Sequence, residues 1–154
     1  MSEQEAGLVP GPDVKAQSVA VQSAIEQILE EMYFCEADYL GPALMDTACL
    51  GAVLAFSGDL SGEFKVAVSE NLATRMATDF LALPYECLPE QIEAIVREFG
   101  NIACGASMSA WKPHASFHYS VPGPLSRRAA GVAFAHCFSV SGLGADLAVE
   151  ISVE

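Results

Sequence analysis

The chain has 154 residues, 52% of them apolar, enough for one globular domain with a buried core and too many for a disordered chain. With 20 acidic and 7 basic residues the formal net charge is −13, which repels nucleic acid and anionic lipid and excludes both as partners. The five cysteines (Cys35, Cys49, Cys87, Cys104 and Cys137) are odd in number and form no C-x-x-C pair, as expected of small buried hydrophobes in a reducing compartment.

Residues 1–12 carry Gly and Pro and no periodicity, so a flexible N-terminal tail is expected there, followed by a single domain over 13–154. The N-terminus has neither a basic nor an apolar targeting segment. The most apolar window, 43–56, is interrupted by Asp46 and is too short to span a bilayer, so the expected location is cytoplasmic.

Over 14–37 the apolar residues Ile25, Ile28, Leu29, Met32 and Cys35 recur at three- and four-residue spacing and predict a helix. Gly41-Pro42 marks the connection that follows. Residues 47–56 read as a buried strand, Ser57-Gly58-Asp59 as a turn, and 62–69 as the second strand of a hairpin. Ser69 is a good N-cap for a helix running to about residue 83, where Leu83-Pro84 stops it.

A long helix is expected over 88–111, with Pro89 in its first turn and Pro113 beyond its end. Three strands remain, at 115–121, 131–140 and 145–153, separated by Pro122-Gly123-Pro124 and Ser141-Gly142-Leu143-Gly144. No linker divides the chain. The expected class is α+β, an antiparallel or mixed sheet flanked by two long helices and a shorter one. The segments Ile25–Met32 and Ile92–Phe99 also repeat the same apolar and acidic order at an offset of about 67 residues. Either two amphipathic helices share a 3.6-residue period, or an ancient duplication relates them by a pseudo-two-fold. In the first copy Phe34 stands where the second has Asn101.

On a wheel of about 100° per residue, Leu88, Ile92, Ile95, Val96, Phe99, Ile102, Ala103 and Ala106 gather on the core side of the long helix. Glu98 and Asn101 fall on the other half with Glu90, Gln91, Ala94, Arg97 and Gly105. A carboxylate and a carboxamide three residues apart stand side by side there, and small flanking residues leave room for another backbone. The carboxamide has both donor and acceptor atoms, so it can hold a water with one and a phosphoryl oxygen with the other. Phosphoryl transfer depends chiefly on such positioning. By spacing alone such a pair is commonplace on exposed helices. Gly100 and Gly105, however, each cost about 1 kcal/mol of helix propensity relative to Ala and call for a reason, either close packing or a site.

At these residues the sequence resembles the CheC/CheX/FliY family of chemotaxis phosphatases, most closely its CheX-like members. The family pattern is Asp or Ser, three residues, Glu, two residues, Asn, then 22 residues and Pro; Glu98, Asn101 and Pro124 stand at the matching positions. Asn101-Ile102-Ala103-Cys104-Gly105 resembles the N-x-x-x-G continuation, and the segment from Phe56 to Ser69 resembles the family's hairpin and following strand. Ala94 departs from the pattern's first position, and Phe34 removes the Asn of a second site.

The resemblance implies a sheet flanked by two long, similar helices. It also implies an activity: hydrolysis of the aspartyl phosphate of a CheY-like receiver domain. Asn101 would orient the attacking water, and Glu98 would pair with the receiver's lysine. The Mg²⁺ would belong to the receiver, so the chain needs no cofactor or metal of its own, and a homodimer formed through sheet elements is expected. The alternative is a non-catalytic binding module of the flagellar-switch type.

His114, His118 and His136 lie on or near predicted strands and are expected to be structural or surface residues. Cys104 sits one turn beyond Asn101 with no His, Lys or Arg within a helical turn, and is read as packing. Arg127-Arg128 is expected in an exposed loop.

Overall fold

The computed structural model describes residues 12–45, 47–128, 131–142 and 144–154. In chain order the elements are α1 (Pro12–Met32), β1 (Asp38–Leu44), β2 (Cys49–Gly58), β3 (Gly62–Ser69), α2 (Glu70–Leu81), α3 (Pro89–Trp111), β4 (Phe117–Tyr119), β5 (Gly123–Arg128), β6 (Ala133–Ser139) and β7 (Leu147–Val153). The expected tail over 1–12 lies outside the described residues, save Pro12, which opens α1.

The strands form one sheet in the order β1-β6-β7-β3-β2-β4, with β5 also pairing to β2. Every pairing is antiparallel, so the sheet is not mixed. The order reads the same from either end once β1, β2 and β3 are exchanged for β4 with β5, β6 and β7. The equivalent elements start 77 to 85 residues apart (α1 and α3 at 12 and 89, β2 and β6 at 49 and 133, β3 and β7 at 62 and 147), so this two-fold arrangement does not coincide with the echo at about 67 residues.

Alternation along the strands explains the layering. Leu54 and Phe56 of β2, Phe64 and Val66 of β3 and Leu147 and Val149 of β7 turn to one face and form the main core with the helices. The opposite face carries a smaller cluster that includes Met45, Cys49, Ala67, Phe134 and Cys137. Ser69 caps α2 as expected, its hydroxyl accepting from the Leu72 amide at 3.2 Å.

Three expectations need correction. Strands β1 and β5 were not anticipated, because Gly41-Pro42 and Pro122-Gly123-Pro124 read as breakers. β1 is an edge strand whose register shifts on both sides of Gly41, which has φ 76°; an edge tolerates a proline that an inner ladder would not. Arg127 and Arg128 accordingly lie in β5 rather than in a loop.

Helix α1 ends at Met32 instead of reaching residue 37. The Leu29 carbonyl accepts from both the Tyr33 and the Cys35 amides, and Phe34 between them is left-handed at φ 59°. The buried stripe of α3 is also turned from the expected one. Gly100, Cys104, Ser107, Met108 and Trp111 are buried; Ile92, Ile102 and Ala106 are only half-buried, and Leu88 is exposed.

Candidate functional site

Helix α3 starts cleanly. Pro89 occupies the first turn, and the Gln91 side chain reaches back to accept from the Leu88 amide at 2.7 Å. The helix lies chiefly over β2, toward the β4 and β5 side of the sheet, and is held there by Ile95, Val96, Phe99, Ala103 and Met108, all buried. Helix α1 runs antiparallel beside it: Asp13 meets Lys112 at 2.7 Å near one end, and Tyr33 meets Phe99 at the other.

Gly100 explains how close the helix comes. A β-carbon on it would stand 2.9 Å from the Ala52 β-carbon and 3.0 Å from Val66 Cγ1. Ala52 pairs across the sheet with Val66 on one side and with Pro124 on the other. The motif's proline thus stands on the strand next to the one beneath Gly100. It shares a cleft of about 110 Å³ with Leu50, Gly51, Glu93, Arg97 and Leu125.

Gly105 has a different setting. No atom would lie within 4 Å of a β-carbon there, so its helix-propensity cost has no packing reason and leaves open space on the outward side.

Glu98 and Asn101 both lie exposed on that outward side, with Ala94 exposed and Arg97 and Gly105 half-buried. Neither Glu98 nor Asn101 has an ion pair or a side-chain hydrogen bond among the described residues. Their polar atoms are therefore unengaged. The rigidity comes from beneath, where Phe99 and Gly100, the residues between them, are fully buried.

Tyr33 is a neighbour that the sequence reading passed over. Its ring packs edge-on against Phe99 with centroids 5.7 Å apart, and its buried hydroxyl has no hydrogen-bond partner among the described residues. Burial, and to a lesser degree the charge of Glu98, push that hydroxyl up to about 12. The signal was available, because Ile25, Leu29 and Tyr33 recur at four-residue spacing on one face of α1.

The other candidates are not at this site. Cys104 is fully buried, and desolvation pushes its thiol up to about 12, which removes nucleophilic reactivity at neutral pH. His114 and His118 are exposed. His136 is buried in β6, its Nδ1 3.0 Å from the Tyr39 hydroxyl and its Nε2 2.8 Å from Gln17 Oε1. Among the described residues no group of three or more His, Cys, Asp or Glu side chains could hold a metal ion. A hollow of about 180 Å³ near the start of α2 is lined by Thr47, Ser69, Asn71, Arg75 and Asp146 among others, none of them on α3. An unengaged polar pair on a convex helix suits a macromolecular substrate better than a small molecule, which needs a concave pocket.

The chain is similar to known proteins in both sequence and shape. The family described as chemotaxis phosphatase CheX matches residues 50–139. Comparison with curated proteins finds no sequence match. A putative chemotaxis protein from Desulfovibrio vulgaris Hildenborough superposes with a TM-score of 0.72 at 17% identity, over 95% of this chain and 99% of that one. The chemotaxis protein CheX from Desulfovibrio desulfuricans gives 0.70 at 16% identity, over 90% and 99%. CheX in the CheX-CheY-BeF3-Mg+2 complex from Borrelia burgdorferi gives 0.66 at 17% identity, over 88% and 96%.

Proposed function

The chain belongs to the chemotaxis phosphatase CheX family, and from that membership we propose that it hydrolyses the aspartyl phosphate of a CheY-like receiver domain. The observation that carries the reading is the Glu98 and Asn101 pair, exposed and unengaged on a helix whose intervening residues are locked into the core. The Borrelia burgdorferi relative crystallised with CheY supports the choice of partner.

In the proposed reaction Asn101 enters the receiver's site. Its carboxamide accepts from the attacking water and donates to a phosphoryl oxygen, which aligns the water with the phosphorus. The water oxygen forms the new P–O bond as the bond to the aspartyl oxygen breaks. The receiver regains a free carboxylate, and inorganic phosphate leaves. Glu98 cannot touch the phosphate without repulsion; it pairs instead with a lysine of the receiver and fixes the register of docking. The Mg²⁺ of the reaction is held by the receiver. A homodimer in the cytoplasm is the assembly and location that accompany this reading; among the described residues, no helix is long and apolar enough to cross a membrane.

The test is phosphate release from phosphorylated receivers of the same genome. Asn101→Ala is expected to slow release by on the order of 100-fold with folding retained, the scale of losing one positioned polar group. Unchanged release would refute the assignment. Ala94, exposed where the family pattern has Asp or Ser, favours one other reading, a binding module without catalysis. Receiver binding with no faster phosphate loss is the result that would establish it.

A further inference from the structure

We propose that Arg97 is a second charged docking residue, taking a carboxylate of the receiver on the β5 side of Asn101 while Glu98 takes a cation on the α1 side. This role rests on the phosphatase reading and adds to it a residue outside the family motif.

Helix geometry puts Asn101 between two opposite charges. At about 100° per residue, Asn101 lies about 40° from Arg97 and about 60° from Glu98, on the arc between them. Arg97 and Asn101 stand four residues apart, which brings their β-carbons to about 5–6 Å. The tertiary structure gives each flank a different neighbour. Arg97 lines the cleft that holds Pro124 and Leu125 of β5. Glu98 is on the flank toward α1, where its charge acts on Tyr33, a residue packed against Phe99.

Arg97 has no partner in a chain where partners abound. The formal net charge is −13, and Glu90, Glu93 and Glu98 share α3 with Arg97, the helix's single Lys or Arg. Lys65, Arg75 and Lys112 each meet a carboxylate, from Glu63, Asp79 and Asp13. Arg97 meets none among the described residues, although Glu93 lines the same cleft one helical turn away, in the order that favours an ion pair. Half-buried in that cleft, Arg97 keeps its five N–H donors unspent.

The chemistry of the receiver supplies what those donors lack. A protein that holds Mg²⁺ beside an aspartyl phosphate gathers carboxylates around the ion. A guanidinium fork matches a carboxylate through two parallel hydrogen bonds. Arg97 lies one turn from Asn101 and lower on the helix flank, so when Asn101 enters the receiver's site Arg97 meets the rim of that site and not the phosphorus. A cation on one flank and an anion on the other admit one rotation of the receiver about Asn101, because the reverse rotation opposes like charges.

The experiment is steady-state phosphate release from a phosphorylated receiver by Arg97→Gln. KM should rise by about tenfold, as for truncation of an interfacial arginine, with kcat within twofold of wild type. Added salt should raise KM less steeply in the variant than in the wild type. Arg97→Lys keeps the charge without the fork and should bring KM back to within about threefold. Arg97→Met, which keeps an apolar stem in the cleft, should repeat the Gln result if Arg97→Gln lowers the melting temperature. Binding to a receiver activated with beryllium fluoride and Mg²⁺ should weaken in parallel. An unchanged KM, or a fall in kcat alone, in an enzyme that is otherwise active would overturn the docking role and leave the phosphatase reading standing. A rise in KM of the same size in Glu93→Gln would make Arg97 and Glu93 an internal pair and likewise overturn it. A wild-type protein inactive on every phosphorylated receiver would sink the phosphatase reading first, and the role of Arg97 with it.

Discussion

Gly100 of α3 lies directly against Ala52 of β2, so close that a β-carbon added to the glycine would stand 2.9 Å from the alanine's own. This contact lets the helix settle onto the sheet, and it sits between the two residues proposed to meet the receiver. Ala52 is part of the backbone-fixed strand surface and cannot swing aside, and Val66 Cγ1 crowds the same space at 3.0 Å. Gly100→Ala should therefore destabilise the fold by about 1–2 kcal/mol net, an overpacking cost of about 2–3 kcal/mol outweighing the gain of about 1 kcal/mol in helix propensity. Urea unfolding measures this directly; equal or higher stability would mean that the helix can lift without penalty.

Gly105 predicts the opposite sign from the same substitution. Nothing lies within 4 Å of its missing side chain, so Gly105→Ala should stabilise by about 0.5–1 kcal/mol. A large residue there, as in Gly105→Trp, should leave the fold intact yet slow receiver dephosphorylation by on the order of 100-fold, the scale of a misplaced reacting group. Full activity in the Trp variant would show that the partner does not approach across this part of α3.

Tyr33 carries a hydroxyl that is buried and has no partner among the described residues. Removing it while keeping the ring preserves the contacts with Phe80 and Phe99. Tyr33→Phe should raise stability by about 1 kcal/mol, because a desolvated hydroxyl without a partner costs free energy. A drop in melting temperature would reveal a hydrogen bond made in solution.

His136 makes stability depend on pH. Gln17 Oε1 can only accept, so Nε2 carries the proton, and Nδ1 then accepts from the Tyr39 hydroxyl. Burial lowers the folded-state pKa below the ordinary 6.5. The unfolded chain therefore binds a proton first as pH falls. The contribution is complete above about pH 6.5 and is lost progressively as pH drops from there through the lowered folded value. Chemical denaturation at pH 7.5 and 5.5 should show a larger loss in the wild type than in His136→Gln. Equal losses would mean that the imidazole titrates normally in the fold.

The long helix was legible because its signals are local: Pro89 at the start, apolar residues at helical spacing and Pro113 past the end. The hairpin of β2 and β3 and the Ser69 cap were legible for the same reason. β1 and β5 were not, since Gly41-Pro42 and Gly123-Pro124 carry the marks of turns, and only the neighbouring strands β6 and β2 supply the hydrogen bonds that draw them into the sheet. The stripe on α3 was displaced in the wheel because Gly100, Cys104 and Ser107 have no apolar label strong enough to announce burial, yet the sheet surface takes small residues there. The pair Glu98 and Asn101 was found from spacing and family pattern. Tyr33 lies near the pair only because α1 packs antiparallel against α3.

Local chemistry along the chain was thus enough to specify which segments become helices, which residue caps α2, and that Glu98 and Asn101 share one side of a helix, since a turn of 3.6 residues depends on near neighbours alone. Which side of α3 meets solvent, why Gly100 must lack a side chain, and what stands beside the pair were decided by packing. Those outcomes depend on contacts between residues far apart in the chain, where a strand such as β2 presents Ala52 at one height and no periodicity in α3 records it.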